Sequence, residues 1–134
     1  MAEENVAIYR KVLEAFNHEG VDGILQYFSE DVEVYDPDLP GGGRFHGHQG
    51  LRDFIAQLTE GFDLLEVRDY ELVPAGDRVV GLLHTYARGR KGGVEVEIRD
   101  AHVHTFRDGK IVHWRLYLDR KEALADAGVS APNE

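Results

Sequence analysis

Hydrophobic residues in the first half of the chain recur at intervals of three and four, which is typical of amphipathic helices. Residues 3–19 contain no proline or glycine and predict a first helix that ends at Gly20. A short second helix is predicted just after Asp22. A third helix is predicted to begin near Gln49, and its apolar face consists of Leu51, Phe54, Ile55, Leu58 and Phe62.

The period changes in the second half of the chain, where apolar and polar residues alternate as they do in half-buried strands. The strands predicted there are residues 64–73, 78–88, 94–106 and 111–118. Asp108-Gly109 between the last two is a strong hairpin signal. Helices followed by an antiparallel meander predict an α+β domain, in which three N-terminal helices pack on a strongly bent, mostly antiparallel sheet.

The last hairpin predicts which side chains share a face of the sheet. If Asp108 and Gly109 form the loop, His104 lies opposite His113 and Val103 lies opposite Trp114. Binary patterning then places under the helices the apolar set Arg99, Ala101, Val103, Val112, Trp114, Leu116 and Leu118. The opposite face, expected to point outward as a subunit interface, carries Asp100, His102, His104, His113, Arg115 and Tyr117. A single bulge would exchange this assignment.

The segment from Tyr35 to His48 joins the first predicted strand, residues 32–35, to the third helix. Its prolines and its run of three glycines predict that the chain leaves regular structure there. Asp36 ends the strand beside an aromatic residue and a proline, so it is a candidate for chemistry in a cavity. The simpler reading of an Asp-Pro segment is that the carboxylate caps a turn.

Composition narrows the classes of function. The chain has 134 residues, 43% of them hydrophobic, which predicts a single domain over residues 1–134 with an ordered core at about 5–128 and a disordered tail. A formal charge of −10 argues against a nucleic-acid partner. The sequence shows no apolar segment long enough to span a membrane and no leader, so we expect a cytoplasmic protein. Without cysteine, thiolate chemistry is excluded.

Several short motifs in this order resemble the nuclear-transport-factor-two-like superfamily, and most closely its SnoaL-like polyketide cyclase and ketosteroid isomerase branch. They are Tyr35-Asp36-Pro37, His46-Gly47, Asp108-Gly109-Lys110-Ile111 and Trp114 followed by Tyr117-x-Asp119. The resemblance implies a cone-shaped barrel with a deep apolar pocket. It also implies a homodimer that stacks the convex sheet faces, and a small apolar molecule as ligand.

The resemblance also implies a role for Asp36, which stands where ketosteroid isomerases place their general base. Their oxyanion-hole tyrosine falls near Val12, with Tyr9 one turn away, and their protonated acid falls at Ala101 or His102. We therefore expect a cofactor-independent enzyme of isomerase or cyclase type that uses Asp36 on an apolar carbonyl compound. Arg99 and His102 are the expected catalytic helpers, and the expected pocket residues are Tyr9, Phe16, Phe54, Leu58, Phe62, His84, Tyr86, Trp114 and Leu116.

Two alternatives remain open from the sequence. One is a binding module that uses the same pocket without catalysis. The other is a metal site, because His102-x-His104 with His113 opposite could supply three imidazole ligands. His46-x-His48 is a second, weaker pair for a metal.

Overall fold

The computed structural model describes residues 2–39 and 43–129. Within these two ranges, four helices and six strands follow one another as α1 (Ala2–Glu19), α2 (Val21–Ile24), β1 (Phe28–Tyr35), β2 (Arg44–His46), α3 (Gly47–Thr59), β3 (Phe62–Ala75), β4 (Arg78–Gly89), β5 (Glu95–Arg107), β6 (Lys110–Tyr117) and α4 (Arg120–Asp126). A single 3-10 turn, Leu25–Tyr27, lies between α2 and β1. The predicted disordered tail at 130–134 lies outside the described residues.

The strands form one sheet in the order β2-β1-β6-β5-β4-β3. Only β1 and β6 run parallel among these neighbours, and the other pairs are antiparallel. Helices α1 to α3 pack on the concave side of this bent, open sheet, and the result is the predicted α+β cone. The predicted fold class is therefore confirmed.

Element boundaries follow local chemistry. Gly20 has a φ of 66° and its N–H donates to the Phe16 carbonyl at 2.9 Å, so α1 ends where the sequence predicts. Asp108 and Gly109 have φ of 52° and 78° and join β5 to β6 as expected for a two-residue hairpin loop. Phe62 differs from its prediction, because it begins β3 rather than ending α3. The short strand β2 was not predicted.

The face assignment of the last hairpin was wrong. Phe106 does oppose Ile111, but a bulge between Thr105 and Phe106 shifts every pair beyond it by one residue. The extra residue is Val112 on β6, because Phe106 pairs with Ile111 and Thr105 pairs with His113. His104 therefore pairs with Trp114, and Thr105 pairs with His113.

As a consequence, the side of β5 that was predicted to face outward faces the helices, and the side predicted to face the helices points outward. Asp100, His102 and His104 face the helices together with Trp114 and Leu116. Ala101 and Val103 face the other side, where they pack with Val80, Leu82 and Tyr117 under the terminal helix α4, an apolar cover that the sequence analysis did not assign. Leu118, predicted to lie under the helices, is 67% exposed.

Candidate functional site

A mostly apolar cavity of about 100 Å³ lies between the helices and the sheet. An engineered cavity of roughly 150 Å³ in another protein holds benzene, so this space suits one small ring or a short chain. Residues of the predicted pocket that line it are Tyr9, Phe16, Leu58, Phe62, Trp114 and Leu116, and predicted catalytic His102 lines it as well. Sequence reasoning did not place Asp100 or His104 in this wall.

Five predicted site residues do not line the cavity, and four of them are Phe54, His84, Tyr86 and Arg99. Phe54 lies behind Trp114, with the two rings edge to face at 5.1 Å. His84 and Tyr86 lie on the other side of β4, where His84 is 3.4 Å from Glu97 and the Tyr86 hydroxyl donates to Glu95. Arg99 pairs with His84 in the sheet and is exposed, so it cannot reach a ligand in the cavity.

Asp36 does not line the cavity either, but it adjoins it. It directly follows β1, and it lies close enough to His102 and Asp100 in the cavity wall for their charges to affect its pKa. Its side chain is held in place, because Oδ1 accepts the Asp38 N–H at 3.1 Å and the Asp36 N–H donates to the Gly43 carbonyl at 2.8 Å. The carboxylate thus caps a turn, as the simpler reading of the sequence proposed.

The segment between β1 and β2 requires glycine at position 43. It has a φ of 46°, and a Cβ there would lie 1.9 Å from the Asp36 carbonyl oxygen. No other residue type fits this close return of the chain. Asp36 is 9% exposed, and burial is the main reason that its pKa is raised. The hydrogen bond from Asp38 and the nearby His102 oppose the shift, while the charges of Asp38 and Asp100 add to it.

Asp100, His102 and Trp114 form a hydrogen-bonded chain along the cavity wall. The Trp114 indole N–H donates to His102 Nδ1 at 3.1 Å, and His102 Nε2 lies 3.0 Å from Asp100 Oδ2. An indole can only donate, so His102 Nδ1 must accept and Nε2 carries the proton that bonds Asp100. Burial raises the pKa of Asp100, but His102, the backbone hydrogen bond and Arg120 outweigh it and hold that pKa below its ordinary value.

Tyr9 and His104 form the next part of this wall. Their rings stack with centroids 4.2 Å apart, and the two residues are 0% and 2% exposed. Burial holds the pKa of His104 well below its ordinary value and raises that of Tyr9, with the charge of Asp100 adding to the second shift. Both side chains are therefore neutral at neutral pH.

The polar atoms of this wall are incompletely satisfied. The Tyr9 hydroxyl, Asp100 Oδ1 and both ring nitrogens of His104 are buried and have no hydrogen-bond partner within residues 2–39 and 43–129. Buried polar atoms without partners are rare and costly in folded proteins. All four of these atoms belong to residues that line the cavity.

The three-histidine metal site that the sequence left open as an alternative is not formed. His113 pairs with Thr105 and lies in a surface hollow on the opposite side of the sheet from His102 and His104. His48 is tied to the Phe28 carbonyl at 2.9 Å, and His46 is exposed. No group of three metal-ligating side chains occurs in the described part of the chain. No helix among the described residues is long and apolar enough to cross a membrane.

Solved structures with the same architecture are numerous. An NTF2-like protein of unknown function from Burkholderia pseudomallei is 25% identical, with 91% of this chain and 95% of that chain covered and a TM-score of 0.77. TerC, co-crystallised with polyporic acid, is 24% identical, with 92% and 97% covered and a TM-score of 0.76. A candidate polyketide cyclase from Xanthomonas campestris pv. campestris is 21% identical, with 94% and 98% covered and a TM-score of 0.75.

No match was found among the curated proteins. The signature of the SnoaL-like domain, in contrast, matches residues 9–114, which include Asp36 and all the residues that line the cavity except Leu116. This chain therefore belongs to the SnoaL-like domain family, as its motifs predicted.

Proposed function

We propose that this protein binds a small apolar carbonyl compound in the cavity and moves a proton on it without a cofactor. The observation that carries the proposal is an apolar cavity with one polar wall, on which ionisable groups lie beside unsatisfied hydrogen-bonding atoms. Perturbed groups in such a cavity are the usual mark of acid–base chemistry.

Asp36 is the proposed general base. Its carboxylate is positioned by the Asp38 and Gly43 backbone, and its raised pKa brings it closer to the pH at which a base is most effective. Asp100 has the opposite shift and stays ionised. When their surroundings shift the pKa values of two carboxylates in opposite directions, the two groups can take different roles. Asp36 then exchanges a proton with the substrate, while Asp100 remains ionised.

The proposed reaction begins when Asp36 takes a proton from the carbon beside the carbonyl group. The electron pair of that C–H bond moves into the carbonyl, which becomes an enolate. The neutral Tyr9 hydroxyl is the donor available to the enolate oxygen. Asp36 then returns the proton to the same or to a conjugated carbon, so that atoms and charge balance over the cycle.

Deuterium incorporation tests this proposal without knowledge of the natural substrate. The probe is 3-cyclohexen-1-one in D₂O, followed by proton NMR, which reports both exchange and migration of the double bond. Wild type should accelerate exchange over buffer, and Asp36→Asn should lose about a hundredfold or more of this rate while keeping affinity. Asp38→Asn is the matched control, because it keeps the backbone N–H that bonds Asp36 and removes only an exposed charge, which is a lesser cause of the raised Asp36 pKa.

Each other outcome has a clear meaning. If wild type binds the ketone without exchange, the protein is a binding module and the catalytic proposal fails. If Asp36→Asn and wild type exchange the ketone at the same rate, Asp36 is not the base.

We also propose that the outer face of the sheet, opposite helices α1 to α3, forms a dimer interface with a second copy of the chain. Arg115 lies there over the rings of Tyr35 and Tyr117, at 5.2 Å and 4.7 Å, and its Nε has no hydrogen-bond partner among the described residues. Tyrosine and arginine are enriched in subunit interfaces. Light scattering after size exclusion should give a dimer that Arg115→Glu dissociates, whereas a monomeric wild type would rule this interface out.

A further inference from the structure

The polar wall of the cavity has a specific donor and acceptor pattern that the proposed reaction does not use in full. Asp100, His102 and His104 alternate along β5, so their side chains project to the same side. His102 is saturated, because Trp114 occupies one ring nitrogen and Asp100 the other. It orients Asp100 but has no hydrogen-bonding capacity left for a ligand.

Asp100 is left with one free acceptor. Oδ2 is bound by His102, while Oδ1 is buried without a partner in the part of the chain described, and the side chain is 16% exposed. An ionised carboxylate has no proton to give, so Oδ1 can only accept. A ligand group that bonds to Oδ1 must therefore carry an O–H or N–H.

Tyr9 supplies the complementary donor. Its hydroxyl lies over Gly81, where a Cβ would be 2.2 Å from Tyr9 Oη, and Gly81 pairs with His102 in the sheet. The absence of a side chain at position 81 therefore makes room for this hydroxyl beside the polar wall. Its pKa is raised, with Asp100 as one cause, so the two groups are close enough to interact electrostatically.

We infer that the ligand carries a neutral hydroxyl group, phenolic or enolic, which donates to Asp100 Oδ1 and accepts from the Tyr9 hydroxyl. A hydroxyl is both a donor and an acceptor and so satisfies both orphan atoms at once. The cavity volume of about 100 Å³ limits the buried part of this ligand to about one small ring. This inference rests on the proposed function in one respect, that the cavity binds a small molecule.

Phenol and toluene make the sharpest test, because they have nearly the same shape and differ in the hydroxyl. A purely apolar cavity prefers toluene, since burial of an unpaired hydroxyl is unfavourable. Affinities of both probes for wild type are measured by calorimetric or NMR titration at neutral pH. We expect phenol to bind at least about tenfold more tightly than toluene, the size of a buried hydrogen bond to a charged group.

Two variants assign the preference to the named atoms. In Asp100→Asn the amide oxygen is taken by His102 and the amide nitrogen cannot accept, so the preference for phenol should fall by about tenfold or more. Tyr9→Phe should reduce it by a smaller factor, because a neutral hydrogen bond is lost. Asp63→Asn is the charge-matched control, since Asp63 pairs with Arg88 outside this cavity, and it should bind both probes as wild type does.

Toluene binding as tightly as phenol to wild type would overturn the inference while leaving a small-molecule cavity in place. An unchanged phenol preference in Asp100→Asn would also overturn it. Binding of neither probe would overturn both this inference and the proposed function. Tight phenol binding together with no deuterium exchange would uphold the inference and reject only the catalytic proposal.

Discussion

The Trp114 indole N–H donates to Nδ1 of His102 at 3.1 Å and thereby selects one tautomer of a histidine that lies 3.0 Å from Asp100. Trp114 is thus more than a wall of the cavity. Through His102 it fixes the proton that bonds one oxygen of Asp100, while the other oxygen has no partner among the described residues.

Replacement of Trp114 by Phe should allow His102 to populate both of its neutral tautomers. Without the indole donor, His102 Nδ1 has no proton to accept, and the Nδ1–H form becomes accessible. Side-chain ¹⁵N NMR should show His102 protonated at Nε2 in wild type and a mixture of tautomers in Trp114→Phe. The signals of His113, on the other side of the sheet, serve as the internal control. An Nδ1–H tautomer in wild type would contradict the proposed chain.

Tyr9→Phe should leave the free energy of unfolding unchanged or raise it by about 1 kcal/mol, because it removes a buried hydroxyl that has no partner in the described part of the chain. Tyr117→Phe is the contrasting variant. The Tyr117 hydroxyl donates to Asp126 Oδ2 at 2.6 Å, so its removal should cost about 1 kcal/mol. Urea denaturation of both variants measures the difference, and equal losses would show that the Tyr9 hydroxyl has a partner in solution.

Gly81→Ala should destabilise the protein by about 1–3 kcal/mol, because the new Cβ would lie 2.2 Å from Tyr9 Oη and 2.7 Å from Cζ. Tyr9→Phe in the same chain should recover part of this loss, since it removes the closer of the two contacts. A double-mutant cycle by urea denaturation measures the coupling. Additive effects would contradict the close approach of these two residues.

Asp36→Asn should change the pH dependence of stability. A raised pKa means that the native state binds the proton of Asp36 more tightly than the unfolded state does. The contribution of Asp36 to the free energy of unfolding is therefore fully present at low pH. It is lost as the pH rises from about 3.9, the pKa of an aspartate in an unfolded chain, through the raised native pKa. Asparagine carries no charge and can still accept the Asp38 N–H through its side-chain oxygen, so the variant avoids this loss.

The measurement is the free energy of unfolding of both proteins in urea across that pH range. We expect the variant to gain stability relative to wild type as pH rises and to be at least as stable at neutral pH. A difference that stays constant with pH, or a variant less stable than wild type at neutral pH, would contradict the raised pKa. Asp38→Asn should resemble wild type more closely than Asp36→Asn does, because it keeps the backbone hydrogen bond and removes only a lesser cause of the raised pKa.

Asp119→Ala tests the stability of helix α4, which packs on the outer face of the sheet. Asp119 Oδ1 accepts the Lys121 N–H at 2.8 Å and caps α4, so its loss should cost about 1 kcal/mol. Lys121→Ala keeps that N–H and should have a much smaller effect. If Asp119→Ala is neutral in thermal or urea denaturation, the cap does not stabilise α4.

Local signals in the sequence were sufficient for most of the fold. Helix periodicity, Gly20 and the Asp108-Gly109 turn determine where α1 ends and where β5 turns into β6, because these depend on nearby residues. Local signals also identified the family, because its short motifs lie at turns and strand ends. Phe62 was misassigned because an apolar residue at a helix end also fits the first position of a strand.

The composition of the polar wall was decided by the tertiary structure. One bulge in the pairing of β5 with β6, beside Thr105 and Phe106, places Asp100 and His104 in the cavity rather than on the predicted outer face. Strand side chains alternate with a period of two, so a shift of one residue reverses every assignment beyond it. The amino-acid sequence determined which residues lie on β5, whereas the register of β5 against β6 in the folded sheet determined which of them face the cavity.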